Sequence, residues 1–136
     1  MLTKSTLLLF LSVMFQFAQA QTLQSSSHST QGYISEDGRI QNASHSTTGY
    51  ITKDGTVQNA SHSVIGYIRN DGTIQNASHS TIGYVKDDGT VQNASHSIIG
   101  YITKEGTVQN ASHSTIGYAK GVPKTWAAIR YFFFVE

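Results

Sequence analysis

The stretch Gly66-Tyr67-Ile68-Arg69-Asn70-Asp71-Gly72-Thr73-Ile74-Gln75-Asn76-Ala77-Ser78-His79-Ser80-Thr81-Ile82 is one copy of a 17-residue unit that fills most of the chain. Complete copies start at Gly32, Gly49, Gly66, Gly83 and Gly100, and a sixth starts at Gly117-Tyr118 and breaks off. The fragment His28-Ser29-Thr30-Gln31 copies the end of a unit without its beginning. Self-similarity at a short fixed period marks a repeat architecture, in which one unit cannot bury its apolar face alone. A half unit at each end predicts that the first and last pieces complete one another, as closure of a ring requires.

Each unit carries a tight-turn signal between β-branched residues: Asp37-Gly38, Asp54-Gly55, Asp71-Gly72, Asp88-Gly89, and the variant Glu105-Gly106. Such a pair predicts a β-hairpin. A two-residue loop would set Ile68 opposite Gln75. A three-residue loop with Gly in the left-handed bulge position pairs Arg69 with Thr73 and Ile68 with Ile74, which keeps apolar side chains together. The same register pairs Ile34 with Ile40, Ile51 with Val57, Val85 with Val91 and Ile102 with Val108. Strand alternation then puts Gly66, Ile68, Ile74, Asn76 and Ser78 on one face, and Ile65, Tyr67, Gln75, Ala77 and His79 on the other. With apolar residues on both faces, each hairpin needs neighbours on both sides. That expectation fits hairpins set around an axis, or an open β-solenoid as the alternative.

The two ends differ in composition from the repeats. Residues 1–20 read as a signal peptide: Lys4 is a short positive region, an apolar run extends from Leu7 to Phe17, and Ala18-Gln19-Ala20 suits cleavage. The apolar run is shorter than the roughly 20 residues a spanning helix needs, so no transmembrane span is expected in the mature chain. Residues 21–31 read as a polar leader, mobile over its first part, followed by the half repeat. Residues 32–118 hold the five hairpins and the closing half unit. Residues 119–136 contain the only Trp, the only Pro and every Phe outside the leader, so this tail is expected to plug or cap the array. Thr125 offers a cap to a short helix through Trp126, whereas residues 129–135 have the bias of a strand, and length does not decide between them.

Composition excludes several classes. Nine Lys or Arg against eight Asp or Glu leave no basic surplus for a nucleic acid. The absence of cysteine removes disulfides and thiolate metal sites.

Four residue sets recur once per unit. His28, His45, His62, His79, His96 and His113 would bind Zn²⁺, Ni²⁺ or Cu²⁺ if they converged on an axis, but five-fold placement suits no common coordination geometry. A hydrogen-bonding role in a Ser/His turn is the expectation, with no metal and no cofactor. The neighbours Ser61-His62 and the later Asp71 invite a catalytic reading. Adjacent strand residues point to opposite faces, and identical copies argue against a specialised centre, so no enzyme is expected. Asn42, Asn59, Asn76, Asn93 and Asn110 head Asn-Ala-Ser acceptor sequences and, from their face, are expected to form a buried ladder. Tyr33, Tyr50, Tyr67, Tyr84, Tyr101 and Tyr118 follow Gly in every unit; packing on the next hairpin is expected, with a shallow glycan or peptide surface as the alternative.

The pattern Gly-Tyr-Ile-x-x-Asp-Gly-x-Val/Ile-x-Asn-x-Ser-x-Ser-Thr-Ile, followed by Trp126-Ala127-Ala128 and Phe132-Phe133-Phe134, resembles the five-fold β-flower proteins, which occur in exported form in Bacteroidetes. The resemblance covers residues 32–136. It implies a pseudo-five-fold ring of β-hairpins and brings no activity and no functional residues with it. The expectation for the whole is an all-β domain of five hairpins closed around an axis and plugged by its tail. Its expected role is non-enzymatic: a structural or interaction module in the periplasm, at the cell surface or secreted, with a protein or glycan partner. A ligand-binding protein using equivalent repeat surfaces is the alternative.

Overall fold

A computed structural model describes residues 20–134. The expected signal peptide falls almost wholly outside the described residues. Twelve short strands follow one another: β1 (Gln21–Ser25), β2 (Thr30–Ile34), β3 (Arg39–Asn42), β4 (Thr47–Ile51), β5 (Thr56–Asn59), β6 (Val64–Ile68), β7 (Thr73–Asn76), β8 (Thr81–Val85), β9 (Thr90–Asn93), β10 (Ile98–Ile102), β11 (Thr107–Asn110) and β12 (Thr115–Tyr118). Every strand pairs antiparallel with its sequence neighbours, and β12 pairs with β1, so the sheet closes as a barrel. Closure removes both sheet edges. It also excludes the solenoid alternative.

The Asp-Gly hairpins adopt the expected register. Ile68 faces Ile74, Ile34 faces Ile40, Ile51 faces Val57, Val85 faces Val91 and Ile102 faces Val108. In the third unit Arg69 N–H donates to Thr73 O at 2.9 Å and Gly72 N–H donates to Arg69 O at 3.0 Å, with Gly72 at φ 89°. That is the three-residue loop with Gly in the left-handed region.

Five hairpins account for ten strands; the other two come from the chain ends. Residues 21–25, expected as part of a polar leader, form β1, because Gln21-Thr22-Leu23-Gln24-Ser25 follows the pattern of Gly72-Thr73-Ile74-Gln75-Asn76. In the pairing of β1 with β12, Ser25 faces Gly117 and Gln24 faces Tyr118, the register that Asn76 and Gln75 take with Gly66 and Tyr67. A sixth hairpin thus exists without a covalent turn. The barrel has six equivalent positions where five were expected.

Between units, each pairing carries a β-bulge, as between Val57 and Gln58 where β5 meets β6. The extra residue turns the alternation over. Ile65, Ile82, Ile99 and Ile116, placed on the tyrosine face by simple alternation, pack against the core instead. The apolar side chains are therefore concentrated on one face of the sheet, with Val64 and Ile98 left exposed. Within it Leu23, Ile40, Val57, Ile74, Val91 and Val108 form one buried tier, and Ile34, Ile51, Val85, Ile102 and Ala119 belong to the next.

The tail is helical. An α-helix, α1 (Lys124–Ala128), runs into a π-helical turn (Ile129–Phe133), in which Phe134 N–H donates to Ile129 O at 2.8 Å. Pro123 rather than Thr125 stands at the N-cap, and no side chain caps the helix. A strand would find no free edge in a closed barrel, and a buried segment must satisfy its own backbone groups, which a helix does. Ala127, Ala128 and Ile129 are buried.

The aromatic rings after Ile129 lie on the inner face, each against a different unit. A Cβ built on Gly66 meets Phe134, one on Gly83 meets Phe133, one on Gly100 meets Phe132, and one on Gly117 meets Tyr131. Successive tail residues thus visit β6, β8, β10 and β12 in reverse chain order, and glycine leaves room for each ring. Gly83→Ala is expected to cost about 3 kcal/mol by overpacking, since its methyl overlaps the Phe133 ring and stands 2.5 Å from the Gln92 carbonyl oxygen. Urea denaturation measures this. A loss below about 0.5 kcal/mol would show that the ring moves aside freely.

Candidate functional site

The repeated residues meet on the outside of the barrel, at the ends of the strands opposite the Asp-Gly turns. There Asn76 N–H donates to Ser80 O at 2.9 Å and His79 N–H donates to Asn76 O at 3.0 Å. This is the Asp-Gly loop geometry again, with histidine in the glycine position. All six histidines have φ 67°. Histidine is among the few residues enriched in this region, which costs a side chain of this kind about 1–2 kcal/mol.

Two contacts offset that cost. Asn76 Oδ1 accepts from the backbone N–H groups of Ser78 and Ser80 at 3.0 Å each, and the other four Asn units repeat this. The asparagines therefore clamp turns; they are not a buried ladder, because each is the last residue of its strand, at the rim, and is at most half-buried. In addition each imidazole stacks on a tyrosine. Tyr33 with His45, Tyr50 with His62, Tyr67 with His79, Tyr84 with His96, Tyr101 with His113 and Tyr118 with His28 have ring centroids 4.2–4.3 Å apart and interplanar angles of 11–15°. Such a pair contributes about 0.5–1.5 kcal/mol. The last pair joins the two chain ends.

These positions keep the histidines apart around the circumference rather than converging on an axis. Among the described residues no group of three or more His, Cys, Asp or Glu is placed to hold a metal. Ser78 and His79 sit in a turn at one end of β7, and Asp71 sits in the turn at its other end. The tyrosines are half-buried under their imidazoles, so they do not form open platforms.

The carboxylates hold the opposite turns. Asp71 Oδ1 accepts from Thr73 N–H at 3.0 Å and Asp88 Oδ1 from Thr90 N–H at 3.0 Å. Asp37 accepts from the Ser35 hydroxyl at 2.7 Å, and Asp54 from the Thr52 hydroxyl. Hydrogen bonds from Thr52, Ser35, Thr73 and Thr90 hold all four carboxyls below their ordinary value of 3.8. A depressed folded pKa gives stability that is present above the unfolded value and lost as pH falls through the folded one. The urea midpoint is expected to hold steady down to about pH 3.8 and to fall below it. Replacing Asp37, Asp54, Asp71 and Asp88 by Asn keeps an acceptor in each turn and should flatten this acid limb; an unchanged limb would place its origin elsewhere.

The six-fold equivalence breaks at the Asp-Gly end. Ile34, Ile51, Val85 and Ile102 are 5% exposed or less, but Ile68, in the same tier, is only half-buried. Beside it a cleft of about 440 Å³ opens between the turns of the second, third and fourth units and α1, lined among others by Lys53, Arg69, Lys86, Lys124 and Trp126. A second groove of about 420 Å³ shares Asp54, Ile68, Arg69 and Asn70 with it and runs down the outer wall to Tyr67, Gln75 and His79. The sequence signals for this region were the variable turn tips and the single Trp, which periodicity alone treats as solvent-facing decoration and tail packing.

The model of a family described as 5-fold beta-flower protein matches residues 20–135. The chain is a β-flower protein. The match includes β1 and the tail as well as the five complete units, in agreement with a β-flower closed by both ends of its chain. No curated protein and no solved structure is found to match this β-flower protein. None of its described helices is long and apolar enough to cross a membrane. The strands of this β-flower protein have four or five residues, against the roughly 9–11 a membrane-spanning strand needs.

Proposed function

We propose that the chain is an exported, non-enzymatic structural or interaction module of the cell envelope, with its aromatic tail acting as the plug of the barrel. One observation carries this reading: the side chains best able to do chemistry are spent on holding their own turns, at one station after another. Each His is held at positive φ over a Tyr, and each unit's Asn Oδ1 serves two backbone N–H groups. An active centre instead concentrates unlike groups in one place. Export is supported by the signal-like residues 1–20 and by β1 starting at Gln21, the first residue after the expected cleavage.

Two measurements on cells expressing the full chain test the proposal. N-terminal sequencing of the envelope and medium fractions should find a product starting at Gln21, and retention of the intact chain in the cytoplasm would overturn export. Melting of the purified mature protein should be unchanged by Zn²⁺, Ni²⁺ or EDTA. Stabilisation by either metal that EDTA reverses would make the histidines a binding site.

A further inference from the structure

We infer that the cleft at the Asp-Gly mouth and the adjoining outer groove form one binding site for an anionic oligosaccharide. The inference rests on the interaction-module reading and names the partner class. The site is where the barrel departs from its own repetition. Sequence variation among the units is concentrated in the turn tips, and those tips bring Lys53, Arg69 and Lys86 to one side of the mouth. The tail adds Lys124, whose Nζ is anchored on the Asp87 carbonyl oxygen at 2.9 Å. Asp54 and Asp87 are the acidic members of the cleft wall and Asp71 that of the outer groove, so four cations face three carboxylates and the positive excess lies in the cleft.

Charge alone would suit any anion; shape and polarity narrow the choice. The two lobes meet over Arg69 and Asn70, giving an extended trough of a kind suited to a chain of linked rings rather than a compact ion. Trp126 lines one lobe, and an aromatic side chain in a trough suits the flat apolar face of a sugar ring. In the outer lobe Gln75 adds a polar side chain to the lining; its Oε1, like that of Gln92 in the next unit, is buried with no hydrogen-bond partner among the described residues. Cations for carboxylates, an extended trough for linked rings and an aromatic side chain for an apolar sugar face together describe an acidic glycan.

The test uses the mature protein and a short oligogalacturonate, with its neutral methyl ester as comparison. Calorimetry at low salt should show binding of the acid form, weakened by added salt through screening of the cations, and at least tenfold weaker binding of the ester. The variant Lys53→Ser, Arg69→Ser, Lys86→Ser changes exposed turn tips and should lose at least tenfold in affinity with an unchanged melting temperature. Lys104→Ser, on the turn of the fifth unit, should bind as the parent does. Because Trp126 also packs on the core, Gln75→Leu serves as the second probe; it removes a polar side chain from the lining of the outer lobe and should weaken binding without loss of stability. No binding of the acid form, or equal binding by the triple variant, overturns the site and leaves the module reading intact. New reducing ends in the incubated oligogalacturonate would instead overturn the non-enzymatic reading while confirming the site.

Discussion

Truncation after Gly121 is expected to leave a chain that no longer folds cooperatively. The tail supplies Ile129, buried in the core, and the partly buried Trp126, Tyr131, Phe132, Phe133 and Phe134 packed against it. Burial of large apolar side chains contributes about 1.5–3 kcal/mol each, so their joint loss is on the order of 10 kcal/mol. A domain of this size has a net stability of about 5–15 kcal/mol, so the loss is comparable to the whole. The remaining sheet would surround a hollow lined by Leu, Ile and Val. The truncated protein should bind a hydrophobic dye and melt without a sharp transition, while retaining part of its β signal by circular dichroism. A cooperative melt within a few degrees of the full chain would show that the barrel stands without its tail.

Excision of residues 21–29 should have the second largest effect, by a different route. Without β1 the sheet loses its closure, and β2 and β12 become free edges, which template pairing with other chains. Leu23 leaves the core tier, and His28 no longer covers Tyr118. The expected result is oligomer or aggregate by size-exclusion chromatography, reversed by a peptide spanning residues 20–31 that re-enters as the missing strand. A stable monomer without the peptide would mean that β12 closes directly on β2.

A milder change probes the same seam. The Tyr131 hydroxyl points at the carbonyl oxygens of Gln24, at 2.7 Å, and Tyr118, at 3.0 Å, which face one another across the one hairpin that has no turn. Phenylalanine serves at three of the five units with covalent turns, and the phenol stands at the hairpin without one. Tyr131→Phe keeps the ring and removes the staple, so a cost of about 1 kcal/mol is expected in urea denaturation. No measurable change would assign Tyr131 to packing alone.

The 17-residue period, the Asp-Gly signal and the pairing of apolar residues determined the hairpins and their register without any tertiary information. These are local matters: a turn type fixes which residues face each other, and Ile68 finds Ile74 because the loop between them is three residues long. Glycine at the bulge and tyrosine beside glycine were legible for the same reason. The tertiary structure decided what local rules leave open. The bulge between units moved Ile65 from the outer face to the inner one, since an inserted residue reverses a period of two. The asparagines became turn clamps because histidine takes the left-handed position directly after the clamped Ser78, an arrangement no propensity table announces. Gln21 to Ser25 looked like a polar leader because a half unit has no turn to declare it; only a partner at the far end of the chain makes it a strand. The tail, ambiguous between helix and strand by composition, is helical because the closed sheet offers it an interior and no edge. Closure also brings the turn tips of three units together with the tail. That long-range meeting, invisible in a repeat read one unit at a time, gives the barrel a side unlike its others.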